Sequence, residues 1–184
     1  KIALKVAFYM HLILLSIVGI FSIYYINSNP STTTLMLYRD GYDKAKQPSF
    51  VPLRKISATF QLDLTNREDA KFREHWGFDI EAIQQAQALN EKAGYRAYGG
   101  STLTQQLART LFLTPHKTYM RKYIELLIAV ELELIMSKDR ILELYINYAE
   151  LGEGVYGFND AALHYYNKSF LKTTPDQKLR LIAL

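Results

Sequence analysis

Residues 6–26, "VAFYMHLILLSIVGIFSIYYI", hold no formal charge unless His11 is protonated, and no other stretch constrains the chain as strongly. As a helix rising about 1.5 Å per residue, a run of this length reaches roughly 30 Å, the thickness of a bilayer's hydrocarbon core. Lys1 and Lys5 precede it, and Tyr24 and Tyr25 stand where an interfacial aromatic belt would lie. The run therefore reads as a transmembrane anchor over residues 1–27, with a cytoplasmic N-terminus and the remainder of the chain outside. A cleaved signal peptide is the alternative, but its apolar region is usually shorter and no small-x-small cleavage site follows.

"NSNPSTTT", residues 27–34, is polar and broken by proline, and residues 28–49 read as a linker leaving the membrane. Over residues 35–66 the short apolar stretches show no helical period, so extended or irregular chain is expected. From about residue 69 the pattern turns helical. Asp79 is a candidate cap for "IEAIQQAQALNEKAG", with Ile80, Ile83, Ala86 and Leu89 on one face and Gly94 ending it. Further helices are expected at "STLTQQLARTLFL", over 119–136, over 139–150, and from about Phe158. Residues 50–184 are then one mainly α-helical domain, and 184 residues suffice for such a domain plus an anchor.

Composition excludes more than it proposes. The chain has no cysteine, hence no disulfide framework, thiolate nucleophile or cysteine zinc site. Its four histidines lack metal-binding spacing, and no GxSxG elbow, Walker loop or GxGxxG fingerprint occurs. A net charge of +4 is compatible with an anionic partner and too weak to name one; nothing points to nucleic acid.

What remains is acids and cations. Thr102 and Gln105 make a capping-box pattern, while Leu103, Leu107 and Leu111 should face the core. Thr102, Gln106 and Arg109 then share another face, and a helix N-terminus there is either a ready anion site or simply a well-capped helix. Arg121 and Glu125 are spaced to pair on one helix face, with Lys117 and Lys122 nearby. Glu125 leans inward with Ile128, Ala129 and Leu132, and buried carboxylates are rare unless paired or working. Together with Glu68 this is equipment for glycosyl transfer from a phosphate-activated sugar: one acid as base toward a hydroxyl, and cations holding an anionic leaving group.

Five stretches in order carry a resemblance: "EDAKFREHWGFD", "GGSTLTQQLAR", "RKYIE", "KDRILELYIN" and "GEGVYGFNDAALHYY". They resemble the motifs of the peptidoglycan glycosyltransferases (glycosyltransferase family 51), and the single anchor and "FVPLRKIS" resemble the monofunctional members. The resemblance implies a lysozyme-like helical fold and, as substrate, the lipid-linked disaccharide–peptide lipid II with its growing glycan strand. It implies Glu68 as the catalytic base and Glu125 as the second essential acid. It further implies substrate contacts from Asp69, Phe72, His75, Gly77, Ser101, Thr104, Gln106, Arg109, Lys117, Arg121 and Asn147. No cofactor is obligatory, though Mg2+ or Mn2+ could sit near the donor pyrophosphate. The implied place is the bacterial inner membrane, with membrane lipid and divisome or other wall-synthesis proteins as partners.

The chain departs from the motifs at "LTNRED", where members carry a smooth apolar run, and it stops at Leu184 inside a helix that members continue. Two other readings fit the same residues: a lysozyme-like lytic enzyme, and a non-catalytic scaffold that binds lipid II.

Overall fold

The computed structural model describes residues 1–41, 45–95 and 98–184. Among these there are nine α-helices: α1 (Ile2–Asn27), α2 (Thr34–Asp40), α3 (Ala58–Glu68), α4 (Ile80–Ala93), α5 (Leu103–Phe112), α6 (Tyr119–Ile135), α7 (Lys138–Tyr148), α8 (Gly157–Tyr166) and α9 (Pro175–Ile182). Single 3-10 turns at Leu53–Lys55 and Phe170–Lys172 complete the described elements. The molecule is mainly α, as expected.

Helix α5 is the central strut. Leu103, Leu107 and Leu111 are buried between α6 and α7, against Ile128, Ala129 and Leu132 of the first and Ile141, Leu142 and Leu144 of the second. The fourfold spacing in α5 therefore does what it predicts. Caps begin the helices where the sequence places them. Asp79 accepts from the Ala82 amide at 3.0 Å, and Thr102 and Gln105 close a complete capping box. The glycine-rich junction before α8 is a close approach. Gly157 has φ of +76°, and a Cβ there would overlap the carbonyl of Asn147 in α7.

The extended or irregular chain expected over 35–66 is found only in part: residues 45–52 carry no regular element, while α2, a 3-10 turn and α3 occupy most of the rest. Helix α2 lies on α5 with Met36 fully buried, so part of the expected linker is packed structure. Helix α3 is capped by Ser57, whose hydroxyl accepts from the Phe60 amide at 3.3 Å. Only Phe60, Leu64 and Thr65 of α3 are buried, too few to write a helical period into the sequence. Tertiary packing supplies the rest. The Phe60 ring lies 5.2 Å from that of Phe158 and 4.8 Å from that of Phe170, an edge-on cluster fixing α3 against the C-terminal helices.

Helix α1 is long and apolar enough to cross a membrane, and the domain side of it is packed. It runs alongside α6 in the same direction: His11 meets Tyr123, Gly19 meets Glu131, and the Tyr25 carbonyl accepts from Arg140 at 2.8 Å. A Cβ at position 19 would come 2.8 Å from the Glu131 carboxylate, the end of a flexible side chain that can swing aside.

Candidate active site

Glu68 is the last residue of α3, half-buried, and opens into a cleft of about 640 Å³ that it shares with Gln106, Arg109, Tyr145 and Glu150. A carboxylate at a helix C-terminus faces the negative end of the helix dipole, which costs stability rather than adding it. Gln106 compensates by donating its Nε2–H to Glu68 at 3.1 Å, and its Oε1 accepts from the Tyr145 hydroxyl at 3.1 Å. Asn66 and Arg67, in the unusual stretch before Glu68, are exposed, and Arg67 lines the cleft beside Glu68.

Glu125 is the opposite case. It is 1% exposed and covered by two cations. Arg121 closes on one oxygen, and Lys122 Nζ lies 2.5 Å from the other. Lys122 also donates to Ser101 at 2.7 Å and to the Gln105 side chain at 3.3 Å, tying α6 to the start of α5. Ser101 lines both a small cavity beside Glu68 and the larger, about 960 Å³ groove beside Lys122. Lys117 is exposed in the connection before α6.

Other residues expected to touch substrate are placed in the frame beneath the cleft. Asp69 is buried. His75 Nε2 lies 2.9 Å from each of its oxygens, and the Leu103 amide donates to it at 2.9 Å. The Gly77 amide donates to His75 Nδ1 at 3.1 Å, so Nε2 carries the hydrogen that Asp69 receives. The Thr102 hydroxyl donates to the Gly77 carbonyl at 2.8 Å, and Gly77 has φ of +93°. A Cβ on Gly77 would come 2.8 Å from the backbone of Ala129. Thr104 donates to buried Glu133 at 2.6 Å. Lys138 Nζ bonds Glu133 at 2.7 Å and the His75 carbonyl at 2.6 Å, and sits 4.7 Å from the centre of the buried Phe72 ring. Asn147 is 2% exposed and spends its amide on both backbone groups of Val51 and on the Glu143 carbonyl. Each of these polar side chains is bonded within the frame, and together they tie α3, α5, α6 and α7.

Of the two readings held open for the start of α5, the well-capped helix is the one found: Asp69 takes its first amide and the capping box takes others. One expectation needs correction. Thr102 does not share an open face with Gln106 and Arg109; it is buried against Gly77. Reading from sequence alone also misses Tyr145 and Glu150. Tyr145 stands two residues before Asn147 in "ELYIN", a position whose facing only α7's packing reveals. Glu150 pairs with Arg39 at 2.9 Å across more than a hundred residues, and nothing local marks it.

Among the described residues no three His, Asp or Glu side chains converge as metal ligands.

A family model described as transglycosylase matches residues 35–184. The chain is 40% identical to the biosynthetic peptidoglycan transglycosylase of Dechloromonas aromatica strain RCB, over 96% of this chain and 83% of that protein. It is 42% identical to that of Paraburkholderia xenovorans strain LB400, over 85% and 68% respectively. With the like-named protein of Janthinobacterium sp. strain Marseille it shares 34% identity over its whole length and 85% of the relative. A helical domain matched from α2 to α9, with two acids held in contrasting surroundings around one helix start, belongs to the transglycosylase family, whose fold is lysozyme-like.

Proposed function

We propose that the chain polymerises lipid II into glycan strands by inverting displacement, with Glu68 as the base. As a member of this family it is a peptidoglycan glycosyltransferase of cell-wall synthesis. The observation that carries the assignment of roles is the contrast between the acids. Glu68 faces a cleft with an amide and a guanidinium for company, whereas both oxygens of Glu125 are held by cations.

In this reading Glu68 takes the proton from the acceptor sugar's 4-hydroxyl as that oxygen attacks the anomeric carbon of the donor strand's terminal sugar. The new C–O bond forms on one face while the bond to pyrophosphate breaks on the other, inverting the centre and releasing undecaprenyl pyrophosphate. Charge grows on the leaving group in the transition state, where fixed cations help most. Arg109 in the cleft, and Arg121, Lys122 and Lys117 toward the groove, supply them. Glu125 serves as the counter-charge that keeps Arg121 and Lys122 side by side without substrate. Mg2+ or Mn2+ bound to the donor pyrophosphate would share that charge with the side-chain cations.

Asp69, Phe72, His75, Gly77, Thr104 and Asn147 act by holding this arrangement, while Ser101 and Gln106 reach the openings. A lysozyme-like hydrolase needs a second carboxylate or equivalent but not cations around a leaving group. Glu125 is held by cations and Glu150 in the cleft is paired with Arg39, so the polymerase is favoured. The apolar helix α1 fits a single-pass anchor, and Lys1 and Lys5 support a cytoplasmic N-terminus with the catalytic domain periplasmic. Divisome or other wall-synthesis proteins are the partners this placement suggests.

The test is incubation of the full chain in detergent or liposomes with labelled lipid II. Glycan strands are expected. Cleavage of preformed strands would support the lytic reading, and binding without product would support a scaffold.

A further inference from the structure

The amide of Gln106 has two orientations of nearly equal shape, and they are opposite in consequence. In one, Nε2 faces Glu68 and donates to it. In the other, Oε1 faces Glu68 and repels it. Two partners choose between them. Glu68 sits at one end, 3.1 Å from Nε2, and the Tyr145 hydroxyl sits at the other, 3.1 Å from Oε1.

Tyr145 comes from α7, is 5% exposed, and lines the same cleft as Glu68 and Arg109. A hydroxyl this deep needs a partner, and its partner here is the amide. Burial and, secondarily, the charge of Glu68 raise the phenol above its ordinary value against a smaller opposing effect of Arg109, so it remains a hydrogen donor throughout the working range. The Tyr145 hydroxyl donates to Oε1 while Nε2 donates to Glu68, and the two bonds together hold Gln106 in one orientation.

We propose that Tyr145 is a positioning residue for the base: through Gln106 it fixes the carboxylate of Glu68 toward the acceptor hydroxyl. The proposal rests on the reading of Glu68 as base. A base must come within about 2.6–3.2 Å of the oxygen whose proton it takes, and a carboxylate at a helix end, facing an open cleft, has other rotamers available. Removing the Tyr145 hydroxyl frees the amide to turn and releases Glu68 from its one fixed orientation. The substrate's own contacts are untouched, so the loss appears in kcat and not in KM.

The experiment is a two-by-two comparison of kcat and KM on lipid II for the full chain, Tyr145→Phe, Glu68→Gln and the double variant, with melting temperatures for all four. Loss of one neutral hydrogen bond predicts a kcat about fivefold lower for Tyr145→Phe with KM unchanged. In the Glu68→Gln background the same change should cost nothing, because the group it positions is gone. Equal losses in both backgrounds would mean that Tyr145 acts through the fold, and would overturn the proposal. Full turnover of Tyr145→Phe beside an inactive Glu68→Gln overturns this proposal alone. Full turnover of Glu68→Gln overturns the base assignment and this inference with it. If Tyr145→Phe does not fold, Gln106→Met removes the link from the other side and must show the same dependence on Glu68; independence there is equally fatal.

Discussion

Glu68 and Glu125 are the same side chain put to two uses by two neighbourhoods. Glu68 ends a helix beside an open cleft and has one neutral amide for support. Glu125 lies mid-helix, 1% exposed, between a guanidinium and an ammonium. A carboxylate that must take a proton from a substrate needs access and a free lone pair, and a carboxylate that organises cations needs neither. The difference lies in exposure and pairing, not residue type, and it is what supports the proposal that Glu68 is the base.

The largest expected effect breaks the comparison at Glu68. Glu68→Gln keeps shape and the contact with Gln106 but cannot take a proton, so turnover should drop at least about 100-fold while the melting temperature stays within a degree or two. A variant that turns over like the native chain would remove Glu68 from the mechanism.

At Glu125 the expectation is reversed, with stability moving alongside rate. Arg121→Ala alone leaves Lys122 on the carboxylate and should cost about 1–2 kcal/mol, less than the roughly 3–5 kcal/mol typical of a fully orphaned buried charge. Adding Lys122→Ala should reach that larger figure in chemical denaturation, and Glu125→Gln should restore much of it without restoring turnover. Recovery of activity together with stability would make the cluster purely structural.

Gly77→Ala addresses the frame that carries Glu68. A Cβ there meets the Ala129 backbone at 2.8 Å from a left-handed φ, so a loss of about 2 kcal/mol is expected, with lower turnover following from displacement of the Asp69–His75 link. An unchanged melting curve would show that the link tolerates movement.

The smallest effect concerns a third acid on α6. Glu131 packs against Gly19 with one oxygen buried and unpartnered, and burial raises its carboxyl above the ordinary glutamate range. A raised folded value means stability is fullest below the unfolded value and declines as pH climbs through the folded one. Glu131→Gln should therefore raise the melting temperature slightly near pH 7–8 and hardly at all near pH 4. An equal gain at both pH values would show that ionisation is not the cause.

Much of this was legible in the residues themselves, for local reasons. A long uncharged run has few fates, so α1 was readable. Caps are short-range chemistry, so Asp79, Thr102 and Gln105 could be read a turn at a time. The fourfold leucines of α5 named its buried face, and Arg121 with Glu125 is a pair that helix geometry alone brings together. What only the tertiary structure decided is whatever depends on partners distant in sequence. Helix α3 owes its existence to Phe158 and Phe170, a hundred residues away, and its own sequence carries too little period to declare it. The Leu103 amide looked open until Asp69, from another segment, took it. Tyr145 meets Gln106, and Arg39 meets Glu150, only because α7 and α2 fold back onto α5 and the chain after α7. Sequence determines what a side chain can do at short range; which of the two acids is left open to a cleft was set by packing, because burial and pairing are properties of the assembled neighbourhood.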